Sequence, residues 1–336
     1  MTAPALPPPT GGNATTSPQR HGRLALLLLT PTFLVLALVI VYPLIAALRE
    51  SLYKRQEGLD ESGFVVEGDN FVGIDNYSAI FQGDTAERFW NAFYNTTFFT
   101  VVGVAIEVVL GVAMALVMHH ALRGRGVVRA SVLVPWAVPT AMSALLWQWI
   151  FAPDGIANEM LNSQITWDGE NFYAKISVLI ADTWKTAPFV GLLVLAGLQM
   201  IPTEVYEAAR VDGANAWVRF WRITLPLVKP ALLVAVLFRV MDVLRIFDLP
   251  YILVGPRKDS VETLSMLAFE DAQQLRYGPA AAYATVLFLY VVIVAYAFVK
   301  LLGADLIGEA RERSRADRRR KAKPMAEPEE KEAVPV

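Results

Sequence analysis

Apolar residues along this chain fall into long continuous runs rather than alternating or helically spaced stripes. Leu24–Leu48, Ala92–Met118, Ala130–Phe151, Ile176–Met200, Ala231–Val254 and Pro279–Leu302 each extend for about 20 residues or more with few charges. A helix needs that length to cross the hydrocarbon core of a membrane, where its backbone groups must be satisfied within the segment itself. The pattern predicts an all-α, polytopic protein with six transmembrane helices. A cleavable leader is the rival reading of the first run, but its apolar centre spans only roughly 7–15 residues. Pro43 predicts a kink near the outer end of the first span, and Pro135 and Pro139 a bend in the third.

The polar segments set the orientation. Residues 1–23 form a tail rich in Pro, Thr, Gly and Ser and are expected to be disordered. Residues 49–91 carry nine acidic residues against four basic ones, whereas Arg123, Arg125 and Arg129 crowd a short loop without acids. Placing 1–23, 119–129, 201–230 and 303–336 inside gives 18 Lys and Arg on that side and 8 outside, so both termini are expected to be cytoplasmic. The basic run from Arg311 to Lys323 then meets anionic lipid at the inner leaflet. The domain reading is a tail at 1–23, a six-helix transmembrane domain at 24–302 and a second tail at 303–336.

Composition agrees and removes several classes of chemistry. The 336 residues are 55% hydrophobic, the formal net charge is −2, and there is no Cys. A nucleic-acid partner, disulfides, thiolate metal sites and thiol nucleophiles are therefore not expected. No Gly-x-x-x-x-Gly-Lys-Ser/Thr phosphate loop, nucleophile elbow or His-Glu-x-x-His occurs. His119 and His120 are adjacent without further ligands and read as interfacial. The chain is not expected to be an enzyme, and a nucleotide that drives it must bind another polypeptide.

One polar stretch between apolar runs carries helix punctuation. Pro202 and Thr203 suit a helix start, Glu204 and Glu207 fall in its first turns, and Asp212-Gly213 breaks it. Asn215 can cap a second helix carrying Trp217, Phe220, Trp221 and Ile223, which Pro226 and Pro230 are expected to end. Within it, Glu207-Ala208-Ala209, then Gly213, then Ile223-Thr224-Leu225-Pro226 resembles the "EAA" loop of membrane subunits of binding-protein-dependent ABC importers. The resemblance implies a type I importer permease fold and a coupling helix seated in a groove of an ATPase subunit. Glu207, Ala208, Ala209, Asp212, Gly213, Ile223, Leu225 and Pro226 are its expected coupling residues.

Charges inside spans are costly to bury and mark candidate chemistry. In the fifth span Arg239, Asp242, Arg245 and Asp248 recur every third residue with alternating sign. They either neutralise one another or wall a polar pathway for a hydroxyl-rich solute, and both can hold together. The fourth span adds Asp182 and Lys185 as a second such pair, with Trp184 as either a sugar-stacking face or an interfacial anchor. Glu107 in the second span reads as a satisfied interhelical hydrogen bond.

Three phrases sharpen the resemblance: Phe71-Val72-Gly73-Ile74-Asp75-Asn76-Tyr77, Asp182 to Phe189, and Phe238 to Asp248. They are similar to the maltose, trehalose and glycerol-phosphate permease group, and in particular to the first permease subunit of actinobacterial trehalose importers. This implies a subunit that moves a disaccharide such as trehalose across the bacterial plasma membrane by alternating access. Its implied partners are a second permease, two ATPase subunits holding ATP and Mg, and an extracellular solute-binding protein. Import of maltose or glycerol phosphate, and an ion-coupled secondary transporter, are the alternatives.

Overall fold

The computed structural model describes residues 18–59, 65–120, 124–169 and 172–302. Residues 1–17 of the first tail and the whole tail 303–336 lie outside the described residues. The chain divides into two compact units, Met1–Glu50 and Ser51–Val336.

The first unit is one apolar helical run: α1 (Pro18–Leu36), a π-helical turn (Ala37–Val41) and α2 (Tyr42–Glu50). Its span-length portion is Leu26–Glu50. Pro43 has no N–H, and its ring crowds the carbonyl four residues back. The wider π turn just ahead supplies room there.

The second unit opens with a hairpin, β1 (Tyr53–Leu59) against β2 (Val65–Phe71), in antiparallel register from Tyr53↔Phe71 to Leu59↔Val65. This hairpin lies in the polar stretch 49–91, where no strand is expected. Its strands are charged rather than alternating, so the usual strand signal is weak. The base of the hairpin is what the Phe71–Tyr77 phrase builds. Gly73 takes φ +58°, Asn76 donates to the carbonyls of Ser51 and Tyr53 (both 2.8 Å), and the Tyr77 hydroxyl meets Ser51 Oγ at 2.6 Å. Gly278 lies so close that a Cβ there would sit 1.9 Å from the Tyr53 carbonyl oxygen.

Then come α3 (Asp75–Ile80), α4 (Gly83–Phe98), a π turn (Phe99–Gly103) and α5 (Val104–His119), the last three forming one apolar run, Gly83–His119. Next are α6 (Arg125–Ala137), α7 (Thr140–Ile150), α8 (Ile156–Leu161) and the long α9 (Phe172–Gln199). The third span carries the expected bend, sharpened to a break: its two helices meet at 92°. Val138, just before Pro139, is forced into extended backbone (φ −72°, ψ 132°), which stops α6 and turns the chain.

After α9 the chain forms α10 (Thr203–Val211), α11 (Ala216–Arg219), a π turn (Phe220–Thr224), α12 (Leu225–Val243), α13 (Asp248–Leu253), α14 (Leu264–Gln273) and α15 (Tyr277–Leu302). Two expectations change here. Pro226 does not end the helix before it; the π turn accommodates it, and Ala216–Val243 is one continuous run. The fifth span stops at Val243, not Val254, because the backbone turns at Leu244–Phe247 and restarts as α13.

Packing shows how the bent pair counts. Phe99 and Val104 at the start of the α5 run cluster with Ala174, Val178 and Ala181 at the start of α9. Ala115 and Met118 at its end cluster with Val194, Leu195 and Leu198 at the end of α9. The two helices are parallel, so the chain between them must cross back, and α6–α7 is that crossing. With the other five candidate spans this makes six. Small residues permit the close approach: Gly111 meets Val190 and Gly191, and Gly197 meets Ala231 of α12.

Candidate functional site

Two places carry the candidate residues: the α10–α11 turn, and the junction of α5, α9 and α12. At the first, α10 presents Glu204, Glu207, Ala208 and Val211 along one exposed ridge, at i, i+3, i+4 and i+7. Ala209, on the other side, is buried, and Tyr206 reaches Thr224 in the π turn (Oη to Oγ1, 3.3 Å). The turn itself is fixed by Gly213 at φ +78° and by Ala214 N–H donating to the Ala209 carbonyl at 2.9 Å. Asn215 Oδ1 caps α11, accepting from Val218 N–H at 2.9 Å. Of the coupling set, Glu207, Ala208, Asp212, Gly213 and Pro226 are exposed, and Ile223 and Leu225 half-buried. Trp217 and Trp221 extend the exposed surface, their rings edge-to-face at 5.6 Å.

At the second place one guanidinium gathers three carboxylates. Arg239 is 3% exposed and Glu107 is fully buried. Arg239 Nε donates to Glu107 Oε2 at 2.6 Å and Nη2 to Oε1 at 2.8 Å, a two-pronged pair across α12 and α5. Nη2 also donates to Asp182 Oδ2 at 3.0 Å, and Nη1 to Asp242 Oδ2. Thr186 Oγ1 completes the set by donating to Glu107 Oε1 at 2.8 Å. Breaking a buried pair of this kind from one side costs about 3–5 kcal/mol, because the remaining charge loses its partner in a low-dielectric site.

This differs from the local pairing read along the sequence. Asp182 meets Arg239 rather than Lys185. Arg239–Asp242 forms, but the alternation does not continue: Arg245 Nε donates to the Met241 carbonyl at 3.0 Å, and Asp248 begins α13 beyond the helix end. Glu107, read as a satisfied buried acid, is satisfied chiefly by Arg239, a partner 132 positions away that no local spacing reveals.

Two adjoining cavities of about 140 and 370 Å³ open on this network and share Lys185, Thr186, Arg239, Asp242 and Arg245. Asp182 and Asp248 border the smaller. The larger has an aromatic wall of Trp136, Phe189 and Phe238, with Trp136 stacked on Phe189 at 5.7 Å. Trp184 is not part of it. It lines a separate apolar cavity between α5, α6, α7 and α9, edge-to-face with Trp147 at 5.7 Å. Trp136, a tryptophan of the third span, is an aromatic wall residue outside the expected pathway set. Its signal was the break at Pro139, which turns the end of α6 toward α9.

Among known proteins, the family described as "Binding-protein-dependent transport system inner membrane component" matches residues 107–307. The trehalose/maltose transport system permease protein MalF of Thermococcus litoralis is 38% identical over 84% of this chain and 94% of its own length. The trehalose transport system permease protein SugA of Mycobacterium tuberculosis is 36% identical over 85% of this chain and 91% of its own. The fold is shared with a chain of a bacterial ABC transporter involved in the import of the acidic polysaccharide alginate, at TM-score 0.70 and 20% identity, covering 85% of this chain and 96% of that one.

Proposed function

Since the chain belongs to the family of binding-protein-dependent transport system inner membrane components, we propose that it is the permease subunit of an ATP-driven importer that carries trehalose inward by alternating access. The observation that carries this reading is the continuous helix Ala216–Val243. One of its ends follows directly on the exposed Glu207–Gly213 turn, and the other ends beside the Arg239–Asp242 cavity. A push on the turn therefore reaches the cavity through a single element.

In this reading the Glu204–Glu207–Ala208–Val211 ridge docks in a groove of an ATPase subunit, which holds ATP and Mg. Ala208 keeps the helix slim at the contact, and Gly213 provides the turn. A second permease completes the membrane pathway, and an extracellular binding protein delivers sugar on the hairpin side. Both termini are cytoplasmic. The aromatic wall of Trp136, Phe189 and Phe238 stacks on sugar rings, while Lys185, Arg245 and Asp242 exchange hydrogen bonds with hydroxyls. Relatives bearing the names of trehalose systems support the choice of sugar.

The test is Glu207→Lys. Because Glu207 is exposed, the variant is expected to reach the membrane at wild-type abundance, lose trehalose uptake and fail to retain the ATPase during purification. Normal uptake with the ATPase retained would refute the docking assignment.

A further inference from the structure

An arginine side chain carries five N–H groups in a rigid fork. Here four are engaged: Nε–H and one Nη2–H on Glu107, the other Nη2–H on Asp182, and one Nη1–H on Asp242. The fifth, on Nη1, has no protein acceptor among the described residues. It lies on the edge of the guanidinium nearest Asp242, whose side chain is 66% exposed at the cavity. Glu107 does not border either charged cavity, whereas Arg239 borders both.

Glu107 meets the guanidinium through two oxygens, Asp182 and Asp242 through one each. Asp182 and Asp242 already supply two carboxylates to one guanidinium, and Glu107 adds a third. What only Glu107 supplies is the two-pronged grip on Nε and Nη2, reinforced by Thr186, which fixes rotation of the guanidinium plane. We propose that Glu107 is a positioning residue: it locks Arg239 so that one Nη1–H is held ready for a hydroxyl of the passing sugar. The inference rests on reading the cavity as the sugar pathway. It adds that selectivity for one hydroxyl is set from a residue that never touches the sugar.

Uptake of trehalose and of each monodeoxy trehalose, at saturating binding protein and normalised to transporter abundance, tests it. The wild type is expected to transport one deoxy analogue about tenfold or more slowly than trehalose, the usual size of a lost hydrogen bond to a charged group. Glu107→Gln is expected to lower trehalose uptake to the level of that analogue, so that the discrimination vanishes. A merely structural role would slow all the sugars by the same factor, and that outcome overturns the proposal. If Glu107→Gln fails to accumulate, Glu107→Asp decides by the same criterion, since it keeps the charge but is too short to hold both nitrogens from the same seat. Arg239→Gln separates the two levels. Wild-type uptake and discrimination in that variant would remove Arg239 from the pathway. Lost discrimination in Arg239→Gln, retained in both Glu107 variants, would sink the positioning role alone.

Discussion

The α5–α9 crossing offers a quantitative test of how packing seats the buried network. Gly111 lies one turn from Glu107 on α5, and a Cβ at Gly111 would come 2.7 Å from both Cβ and Cγ1 of Val190 and 3.0 Å from the Gly191 nitrogen. Ordinary carbon contacts need about 3.5–4.0 Å, so Gly111→Ala must part the helices by about 1 Å. Taken up as a rigid shift, that opens the 2.8 Å bond from Thr186 to Glu107 to nearly 4 Å, beyond hydrogen-bonding range. Overpacking costs about 1–3 kcal/mol, and a lost bond to a charged acceptor about 1.5–3 kcal/mol. A combined loss of about 2.5–6 kcal/mol, set against an unfolding entropy of about 0.7 kcal/mol/K for 336 residues, corresponds to a fall of about 4–9 °C in melting temperature. Thermal unfolding of purified protein, with uptake measured in parallel, checks both consequences. Val190→Gly in the same chain moves the gap to the other helix and should recover uptake, while the net loss of two carbons at the fully buried Val190 position keeps stability about 1.5–3 kcal/mol lower. A Gly111→Ala variant with wild-type melting and uptake would show that close approach at Gly111 does not seat Glu107.

Two further outcomes follow from the same structure. The native chain has no Cys, so Ala214→Cys can be labelled cleanly; an impermeant thiol reagent should reach it only after permeabilisation, and labelling in intact cells would reverse the orientation. Asp242→Asn leaves the Glu107–Arg239 pair intact, and the Asp242 side chain is 66% exposed. Abundance is therefore expected to hold while uptake falls several-fold, and loss of both together would make Asp242 a structural partner only.

The membrane class, the chain order of the spans and the α10–α11 turn were legible because each rests on local pattern: run length, Gly213, the Asn215 cap. What was not legible depends on distance or on backbone endings. Hydropathy is indifferent to a right-angle break, so Trp136-Ala137-Val138-Pro139 reads as an ordinary bent span although it stops α6 outright. The i+3 spacing from Arg239 to Asp248 fits a continuing helix as well as one that ends at Val243, and only the turn at Leu244–Phe247 separates these. The hairpin at Tyr53–Phe71 pairs charged strands and so leaves little periodic trace. Glu107 showed that a buried acid needed a partner; that the partner was Arg239 is a property of the α5–α9–α12 contact.

The run Ala216–Val243 also has a mechanical consequence. Its 28 residues, at about 1.5 Å each, make a lever arm of about 42 Å. A tilt of about 5° at Trp217 sweeps Asp242, 25 residues further along, through about 3.3 Å. That exceeds the 3.0 Å separating Arg239 from Asp182, so an angular change too small to disturb the helix is large enough to exchange one set of ion contacts for another. In the proposed importer, amplification of this kind would let the stroke be generated far from the solute.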